Sequence, residues 1–259
     1  MTTDLYGYDK VGVALDRIRT FEPEDGYYVA FSGGKDSCVI LDLVKRSGVK
    51  FDAHYSLTTV DPPELVQFIR KMHPEVKVDR PKKTMWELIV YNGCPPLRQA
   101  RYCCRVLKET GGDGRFLITG IRWEESPRRK GWKMVGSCRN GGNKRFLHPI
   151  IDWTLGDIWG YIRDRKLPYC SLYNEGFKRI GCVLCPMGTV KQRQRDIARW
   201  PKIAKAYKRA LQGAIDRKAK TDTPVKDFKT GEQYFSWWIN DSPRVSSKDQ
   251  PTLFEDGNG

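Results

Sequence analysis

The chain has 259 residues, and 46 Lys and Arg against 31 Asp and Glu give it a formal charge of +15 at neutral pH. Hydrophobic residues make up 39% and aromatic residues 12% of the chain, which is enough for a core and excludes a disordered or collagen-like polypeptide. No run of about 18 apolar residues is present, and residues 1–6 lack the layout of a secretory signal. We therefore expect a cytoplasmic protein without a membrane partner, and the positive charge favours a polyanionic ligand.

The first 150 residues alternate short β-rich runs with amphipathic stretches, which is typical of βαβ units in a mostly parallel sheet. The predicted strands cover residues 27–31, 51–57, 76–78 and 116–119, and the predicted helices cover residues 36–45 and 63–72. Each run is bounded by Pro or Gly. The pattern therefore predicts an α/β fold with a doubly wound sheet.

The second half of the chain begins with a stretch that has no clear periodicity. Residues 120–145 are rich in Gly, Pro, Arg and Lys, so we expect a long loop at the carboxyl edge of the sheet. A helix over residues 154–165 begins with Thr154 as its N-cap. Residues 191–220 hold eleven Lys and Arg and two Asp, and their apolar residues recur three or four apart. This spacing predicts a helix with one packed face and one basic face.

A glycine-rich turn follows the first predicted strand. It consists of Ser32, Gly33, Gly34, Lys35, Asp36 and Ser37. Between a strand and a helix, glycines let backbone N–H groups converge on an anion, and the helix N-terminus adds partial positive charge. Lys35 adds a mobile charge, and the hydroxyl groups of Ser32 and Ser37 can donate to phosphate oxygens. The turn is not a Walker A loop, and the alternative is an ordinary Gly-Gly turn with a solvated Lys-Asp pair.

The turn resembles, at every position, the PP-loop signature SGGKDS of the ATP pyrophosphatase and phosphoadenosine phosphosulfate (PAPS) reductase superfamily. Residues 120–126, GIRWEES, together with Arg129 resemble the GIRxxES…R segment of that family. Further matches are residues 149–153 (PIIDW), 167–169 (LPY), 172–176 (LYNEG) and 180–182 (IGC). Because the matches extend over about residues 27–188, the chain is identified as a member of the PAPS reductase-like family.

The resemblance implies a Rossmann-like fold of the adenine nucleotide alpha hydrolase type, which binds ATP, PAPS or adenosine phosphosulfate (APS) across the carboxyl edge of its sheet. The residues implied at the nucleotide are Ser32, Gly33, Gly34, Lys35, Asp36, Ser37, Thr58, Gly120, Arg122 and Ser126. Lys35, Arg122 and Arg129 would be the catalytic residues, with both arginines closing over phosphate or sulfate oxygens. Glu124 or Glu125 would orient them or hold Mg²⁺. The alternative is a solvated basic loop.

The same matches suggest a division of the chain into three parts. Residues 1–170 would form the PP-loop nucleotide-binding α/β domain. Residues 171–240 would form a helical, cysteine-containing extension packed on that domain, and residues 241–259 a flexible tail. The sequence is compatible with an oligomer of this chain.

Four of the eight cysteines occur as two close pairs. In a reducing compartment, cysteines are more typical of metal ligands or buried thiols than of disulfides. Cys182 and Cys185 form a CxxC turn, which brings two thiolates to one metal centre, and Cys103 and Cys104 are adjacent. Adjacent helical side chains diverge by about 100°, so the second pair fits a multi-iron cluster better than a single zinc ion. Cys138 could replace Cys103 or Cys104, or act as a reactive thiol.

This CC…CxxC arrangement resembles the cluster-binding members of the reductase family, especially assimilatory APS reductases. The resemblance implies a [4Fe–4S] cluster on Cys103, Cys104, Cys182 and Cys185, and a Cys₄ zinc site is the alternative. The three histidines show no metal motif, and we assign none of them to chemistry.

Two reactions are compatible with the resemblance. Reductases of this kind carry a nucleophilic cysteine in a C-terminal segment, commonly ECGLH, but no cysteine follows Cys185 here. PP-loop pyrophosphatases cleave ATP between its α and β phosphates and adenylate a substrate oxygen, so that sulfur or nitrogen can displace AMP. We favour adenylation coupled to sulfur transfer onto a nucleic acid or a small acceptor. PAPS or APS reduction to sulfite is the alternative, and a nucleotide sensor without turnover is a third class.

The basic stretch over residues 191–220 bears on the partner. Its Lys and Arg side chains could follow the backbone of a tRNA or a DNA, and the alternative is a solvated surface helix. A sulfur transferase would also need a sulfur donor such as a cysteine desulfurase, whereas a reductase would need thioredoxin. We expect salt-dependent binding of RNA or DNA to separate the two interpretations of the helix.

Overall fold

The computed structural model describes residues 9–137, 143–221, 223–225 and 227–240. Contacts divide the chain into two compact units, one of residues 1–84 with 102–182 and one of residues 85–101 with 183–259. The predicted division at residue 170 stays a prediction. The predicted tail, residues 241–259, and Cys138 lie outside the described residues.

Ten α-helices occur within the described ranges. They are α1 (Lys10–Thr20), α2 (Lys35–Ser47), α3 (Pro63–Met72), α4 (Met85–Asn92), α5 (Tyr102–Leu107), α6 (Pro127–Lys130), α7 (Leu155–Asp164), α8 (Val190–Arg199), α9 (Pro201–Lys218) and α10 (Gly231–Ile239). Two 3₁₀ helices cover Trp123–Glu125 and Ser171–Tyr173.

The first unit is built on a single sheet, which has six strands in the described part of the chain. The strands are β1 (Tyr27–Ala30), β2 (Phe51–Ser56), β3 (Lys77–Asp79), β4 (Phe116–Ile118), β5 (Val135–Ser137) and β6 (Arg145–Leu147). Their order is β3-β2-β1-β4-β6-β5, and every neighbouring pair is parallel except β5 with β6. The predicted mostly parallel α/β sheet flanked by helices is confirmed.

Alternate residues of β1 serve the two faces of this sheet, as strand geometry requires. Tyr27 is fully buried, and its hydroxyl group donates to the carbonyl oxygen of Ile18 in α1 at 2.9 Å. Tyr28 and Ala30 instead line a cavity on the opposite face. Hydrophobic packing on one face thus leaves the other face available to a ligand.

The prediction of one long loop over residues 120–145 is wrong. The segment contains a 3₁₀ helix, the short helix α6, the antiparallel edge strand β5 and the start of β6. These elements span three or four residues each, which is too short for a hydrophobic period to register in the sequence. By contrast, the predicted Thr154 N-cap is confirmed: its side chain accepts from the N–H group of Asp157, which completes a capping box.

The second unit consists of α4, α8, α9 and α10. The prediction of one helix over residues 191–220 is wrong, because α8 ends at Arg199 and α9 begins at Pro201. Proline disfavours helical geometry at the residue before it, and Trp200 adopts φ −129° and ψ 64°. Trp200 is nevertheless buried, as the apolar spacing predicted. Among the described residues, no helix has the length and apolar character needed to cross a membrane.

Candidate functional site

The glycine-rich turn follows the strand at which the order of the parallel strands changes side. From β1 the chain continues to β2 on one side, whereas β4 pairs with the other side of β1. Loops at the carboxyl ends of two such strands diverge and leave a crevice, which is the usual ligand position in open α/β sheets. The turn after β1 and the segment after β4 flank this crevice.

Two glycines allow the main chain on both sides of the crevice to pack closely against neighbouring residues. Gly33 has φ +70°, and a Cβ atom there would lie 2.7 Å from the Leu65 side chain of α3. At Gly120 a Cβ atom would lie 2.9 Å from the carbonyl oxygen of Asp36. Only glycine satisfies the first conformation at no steric cost and permits the second close approach. The segment after β4 therefore lies directly against the first turn of α2.

The hydroxyl groups of the turn bond within the turn itself. Ser37 donates to the carbonyl oxygen of Gly34 at 2.8 Å, and the hydroxyl oxygens of Ser32 and Ser37 are 3.2 Å apart. The N–H group of Gly34 donates to the Ser32 hydroxyl oxygen at 3.4 Å. Lys35 is only 6% exposed, and its ammonium group lies 3.0 Å from the Asp36 carboxylate. The turn is thus a compact, pre-ordered loop that carries a buried cation.

Arg122 joins the two sides of the crevice. Arg122 is buried, with 3% of the residue exposed. Its guanidinium group donates to Asp36 at 2.7 Å, to Glu124 at 2.8 Å and to the carbonyl oxygen of Trp153 at 3.2 Å. These bonds use Nε and Nη1, and no oxygen among the described residues accepts from Nη2. A buried ion pair requires such additional hydrogen bonds to offset the loss of hydration. Arg122 therefore positions Asp36 and retains donors for an anion.

Two further arginines carry charge into the same region. Arg129 is half-buried, forms an ion pair with Glu125 and lies over the Trp132 ring. Burial and the charge of Arg179 lower the pKa of Arg129, Asp36 opposes this effect, and Arg122 adds to it. The charges of Arg122 and Arg179 therefore act on the guanidinium group of Arg129.

Other predicted residues are already engaged. The Ser126 hydroxyl group accepts from the N–H group of Arg129 at 3.3 Å and caps α6. Both Glu124 and Glu125 pair with arginines, which is the orienting role that the sequence offered for them. No group of three His, Cys, Asp or Glu side chains in the described ranges is arranged to hold a metal ion.

A cavity of about 1310 Å³ extends from the turn across the open face of the sheet. Ser32 lines it at one end, and Ala30, Ser56, Thr119 and His148 line it along the strands. Pockets that hold one drug-sized ligand measure roughly 300–1000 Å³. The cavity is therefore large enough for a nucleotide.

The chain is similar to known proteins over most of this unit. Residues 26–188 match the family model of the phosphoadenosine phosphosulfate reductase domain. The chain belongs to this family. An uncharacterised protein of Methanocaldococcus jannaschii is 32% identical over 202 residues, which are 71% of this chain and 41% of that protein. The adenosine 5'-phosphosulfate reductase of Staphylococcus epidermidis is 26% identical over 204 residues, which are 72% of this chain and 80% of the reductase.

A solved structure of the same kind supports the fold. The crystal structure of the phosphoadenylyl-sulfate reductase from Candida auris superimposes with a TM-score of 0.52 at 19% identity, covering 69% of this chain and 90% of that one. The predictions of a PAPS reductase-like family, of a Rossmann-like α/β fold and of an enzyme are confirmed. The chain spans 41% of the archaeal relative, so its own reaction and partners are taken up as proposals below.

Three of the four cysteines that the sequence predicts as ligands lie in the first unit. Cys103 is buried on α5, whereas Cys104 and Cys182 are half-buried. The Cys182 thiol donates to the hydroxyl oxygen of Thr58 at 3.5 Å, and Thr58 is 1% exposed. Cys185 belongs to the second unit, where its carbonyl oxygen accepts from Gly188 at 2.9 Å. Four thiols suit iron–sulfur or zinc chemistry, and their ligation stays a prediction.

The structure adds two residues that the sequence analysis missed. Burial opposes the charge of the Lys108 ammonium group, but the Cys182 thiol and the Asp61 carboxylate raise the pKa of Lys108, as does Cys104. Lys108 follows Cys104 by four residues, so helical spacing was a usable signal. Arg179 precedes the matched IGC segment, and no local pattern indicates that its charge lowers the pKa of Arg129.

His148 makes stability depend on pH. Burial and the charge of Arg129 lower the pKa of His148 from 6.5 to about 4. Between these values the unfolded chain binds a proton that the folded chain excludes, so stability is complete above about pH 6.5 and falls toward pH 4. We expect this group alone to reduce the free energy of unfolding by up to about 3 kcal/mol, measured by urea denaturation at pH 7, 5 and 4.

A variant isolates the effect of this group from the other titrating side chains. His148→Gln removes the titration, so its loss of stability between pH 7 and pH 4 should be smaller than that of the natural chain. Parallel loss in both proteins would show that His148 is protonated in the folded state.

Proposed function

We propose that the chain binds an adenine nucleotide with its phosphates at the glycine-rich turn, and that it adenylates an acceptor with ATP as the first step of a sulfur transfer. The observation that carries nucleotide binding is the convergence of charge at one crevice. Lys35 lies in the turn, Arg122 bonds to Asp36 across the crevice, and the charges of Arg122 and Arg179 lower the pKa of Arg129. Phosphate groups are the natural counterions of such an array.

The chemistry assigned to these residues is electrostatic. An acceptor oxygen attacks the α-phosphorus of ATP, the bond to the bridging oxygen breaks, and pyrophosphate leaves with the electron pair. Negative charge builds on the pyrophosphate, so Lys35, Arg122 and Arg129 would lower the barrier by binding its oxygens. A sulfur nucleophile then displaces AMP from the adenylated acceptor. Neither step requires a protein nucleophile, which accords with the lack of cysteine in residues 186–259.

Reduction of a sulfonucleotide is the second candidate. It is favoured by the relatives named adenosine 5'-phosphosulfate reductase. The alignment with the Staphylococcus epidermidis reductase covers 80% of that protein. The same charges would then bind the phosphosulfate group, and the protein would release sulfite. A thiol other than one in residues 186–259 would have to attack the sulfur atom. Products therefore distinguish the two reactions.

Substitution of the loop lysine tests the nucleotide site. We expect Lys35→Ala to weaken binding of ATP with Mg²⁺ by roughly tenfold or more, because a buried ammonium group is lost from the phosphates. Lys45→Ala is the matched control, since Lys45 lies on the same helix but pairs with Glu75 at an exposed position. Unchanged affinity in Lys35→Ala, measured by calorimetry, would remove the proposed nucleotide site.

The reaction is assigned by assaying two products under anaerobic conditions. Protein with ATP and Mg²⁺ is tested for pyrophosphate and AMP, and protein with PAPS or APS and thioredoxin is tested for sulfite. Pyrophosphate with AMP establishes adenylation, and sulfite establishes reduction. Nucleotide binding without either product would indicate a sensor.

The iron–sulfur cluster is a further part of the proposal. Its support is the CC…CxxC pattern of Cys103, Cys104, Cys182 and Cys185 and their thiol chemistry. When bound, such a cluster would leave an iron open to an incoming sulfur only if three of these four thiols held it, because four thiolates would occupy all four irons. We expect Cys182→Ser to abolish the brown chromophore of anaerobically purified protein, with iron measured by colorimetric assay. Cys94→Ser is the control, and full iron content in Cys182→Ser would show that the ligand set is wrong.

A nucleic acid is the acceptor that the second unit favours. Exposed basic side chains follow one another at helical spacing on two helices: Lys191, Arg195 and Arg199 on α8, and Lys202, Lys205 and Arg209 on α9. Residues four apart, or three apart, share one side of a helix. Rows of this kind can neutralise successive phosphates of a tRNA or a DNA backbone.

Salt dependence tests this interface. For a tRNA and for a DNA duplex, the logarithm of the binding constant should fall linearly with the logarithm of the salt concentration. Lys202→Glu with Lys205→Glu should reduce the slope by about two, because two phosphate contacts are lost. Lys50→Glu with Lys71→Glu makes the same charge change at exposed positions of the first unit. Equal effects of both pairs would indicate net charge rather than a defined surface.

A further inference from the structure

Tyr173 reaches the glycine-rich turn from a distant part of the sequence. It ends the 3₁₀ helix Ser171–Tyr173, and its hydroxyl oxygen accepts from the backbone N–H group of Lys35 at 3.0 Å across a separation of 138 residues. The Lys35 ammonium group lies 5.7 Å from the centre of the Tyr173 ring. Tyr173 therefore contacts both the main chain and the side chain of the central loop residue.

Packing fixes the position of this ring. Trp159 meets the Tyr173 ring edge-on with centroids 5.3 Å apart, and the Tyr169 ring lies 6.4 Å away. The short helix itself is anchored by Cys170 and Leu172, which are fully buried. A phenol held in this way presents its hydroxyl group without the entropy cost of ordering a free side chain.

The hydroxyl group has a proton that the protein does not use. A phenol has one donor and two acceptor positions, and Lys35 fills one acceptor position. Among the described residues, no oxygen or nitrogen accepts from the Tyr173 hydroxyl group. Burial raises the pKa of Tyr173, so the proton is retained at physiological pH. The loop thus has a fixed, neutral donor beside its ammonium group.

We propose that the Tyr173 hydroxyl group is a positioning donor to a phosphate oxygen of the nucleotide, and that it favours ligands with phosphate at the turn over the bare nucleoside. This inference rests on the proposed nucleotide site and adds a contact from a separate segment. A hydrogen bond to a charged oxygen is stronger than one to a neutral group. The Tyr173 hydroxyl group should therefore increase the affinity for ATP and for pyrophosphate but not the affinity for adenosine.

The chain offers a matched pair of variants. Tyr173→Phe keeps the ring and its contact with the Lys35 ammonium group but removes the donor. Tyr169→Phe alters the same aromatic cluster, yet the Tyr169 hydroxyl group donates to the Asn174 side chain at 3.2 Å instead. Both are compared with the natural chain by competition calorimetry with ATP and Mg²⁺, with pyrophosphate and with adenosine. Thermal unfolding is measured in parallel.

We expect Tyr173→Phe to weaken ATP and pyrophosphate binding by about five- to twentyfold and to leave adenosine binding unchanged. Tyr169→Phe should leave all three affinities unchanged. Equal weakening of ATP and adenosine in Tyr173→Phe would overturn the proposal and assign the hydroxyl group to loop structure alone. Unchanged or tighter ATP binding would also overturn it, since the hydroxyl group would then be neutral or a competitor of the phosphate.

The Lys35→Ala variant separates failure of this inference from failure of the proposed function. If the natural chain binds ATP through Lys35 but Tyr173→Phe behaves like the natural chain, only the role of Tyr173 is wrong. If the natural chain binds no adenine nucleotide, the proposed function fails, and the role of Tyr173 fails with it.

Discussion

The site depends on one buried ion pair, between Asp36 and Arg122. Asp36 belongs to the first turn of α2, and Arg122 follows β4, so the pair joins residues 86 positions apart in the chain at 2.7 Å. It forms only because Gly120 allows the main chain after β4 to approach the carbonyl oxygen of Asp36. Glu124 and the carbonyl oxygen of Trp153 supply the additional bonds that a buried guanidinium group requires. Strand order, loop conformation and charge placement therefore meet in this pair.

This pair belongs to a cluster in which cations and carboxylates alternate, because Glu124 pairs with Arg122 and Glu125 pairs with Arg129. Lys35 and Arg122 both bond to Asp36, so one carboxylate serves two cations. Arg129 brings a third cation, whose pKa is lowered by burial and by the nearby charge of Arg179. Burial and the charge of Arg129 lower the pKa of His148 to about 4, so that His148 is neutral at physiological pH.

Ligand chemistry at the crevice draws on segments far apart in the chain. Tyr173 bonds to Lys35 from a short helix near the carboxyl end of the first unit. The Cys182 thiol bonds to Thr58, which follows β2, and Lys108, the residue directly after α5, interacts with Cys182. Each of these contacts joins polar groups from two segments that are far apart in the sequence. The first unit thus combines a local glycine-rich turn with polar contacts between residues that are far apart in the chain.

The sequence by itself determined the features that arise from neighbouring residues. The turn of residues 32–37, the strands around it and the Thr154 cap follow from glycine content, periodicity and capping chemistry, which act over a few positions. Tertiary structure alone decided which distant groups meet: Tyr173 with Lys35, and Lys108 with Cys182. It also decided that β5 pairs antiparallel with β6 in a segment predicted to be a loop. These contacts depend on strand order and packing, and no local pattern encodes them.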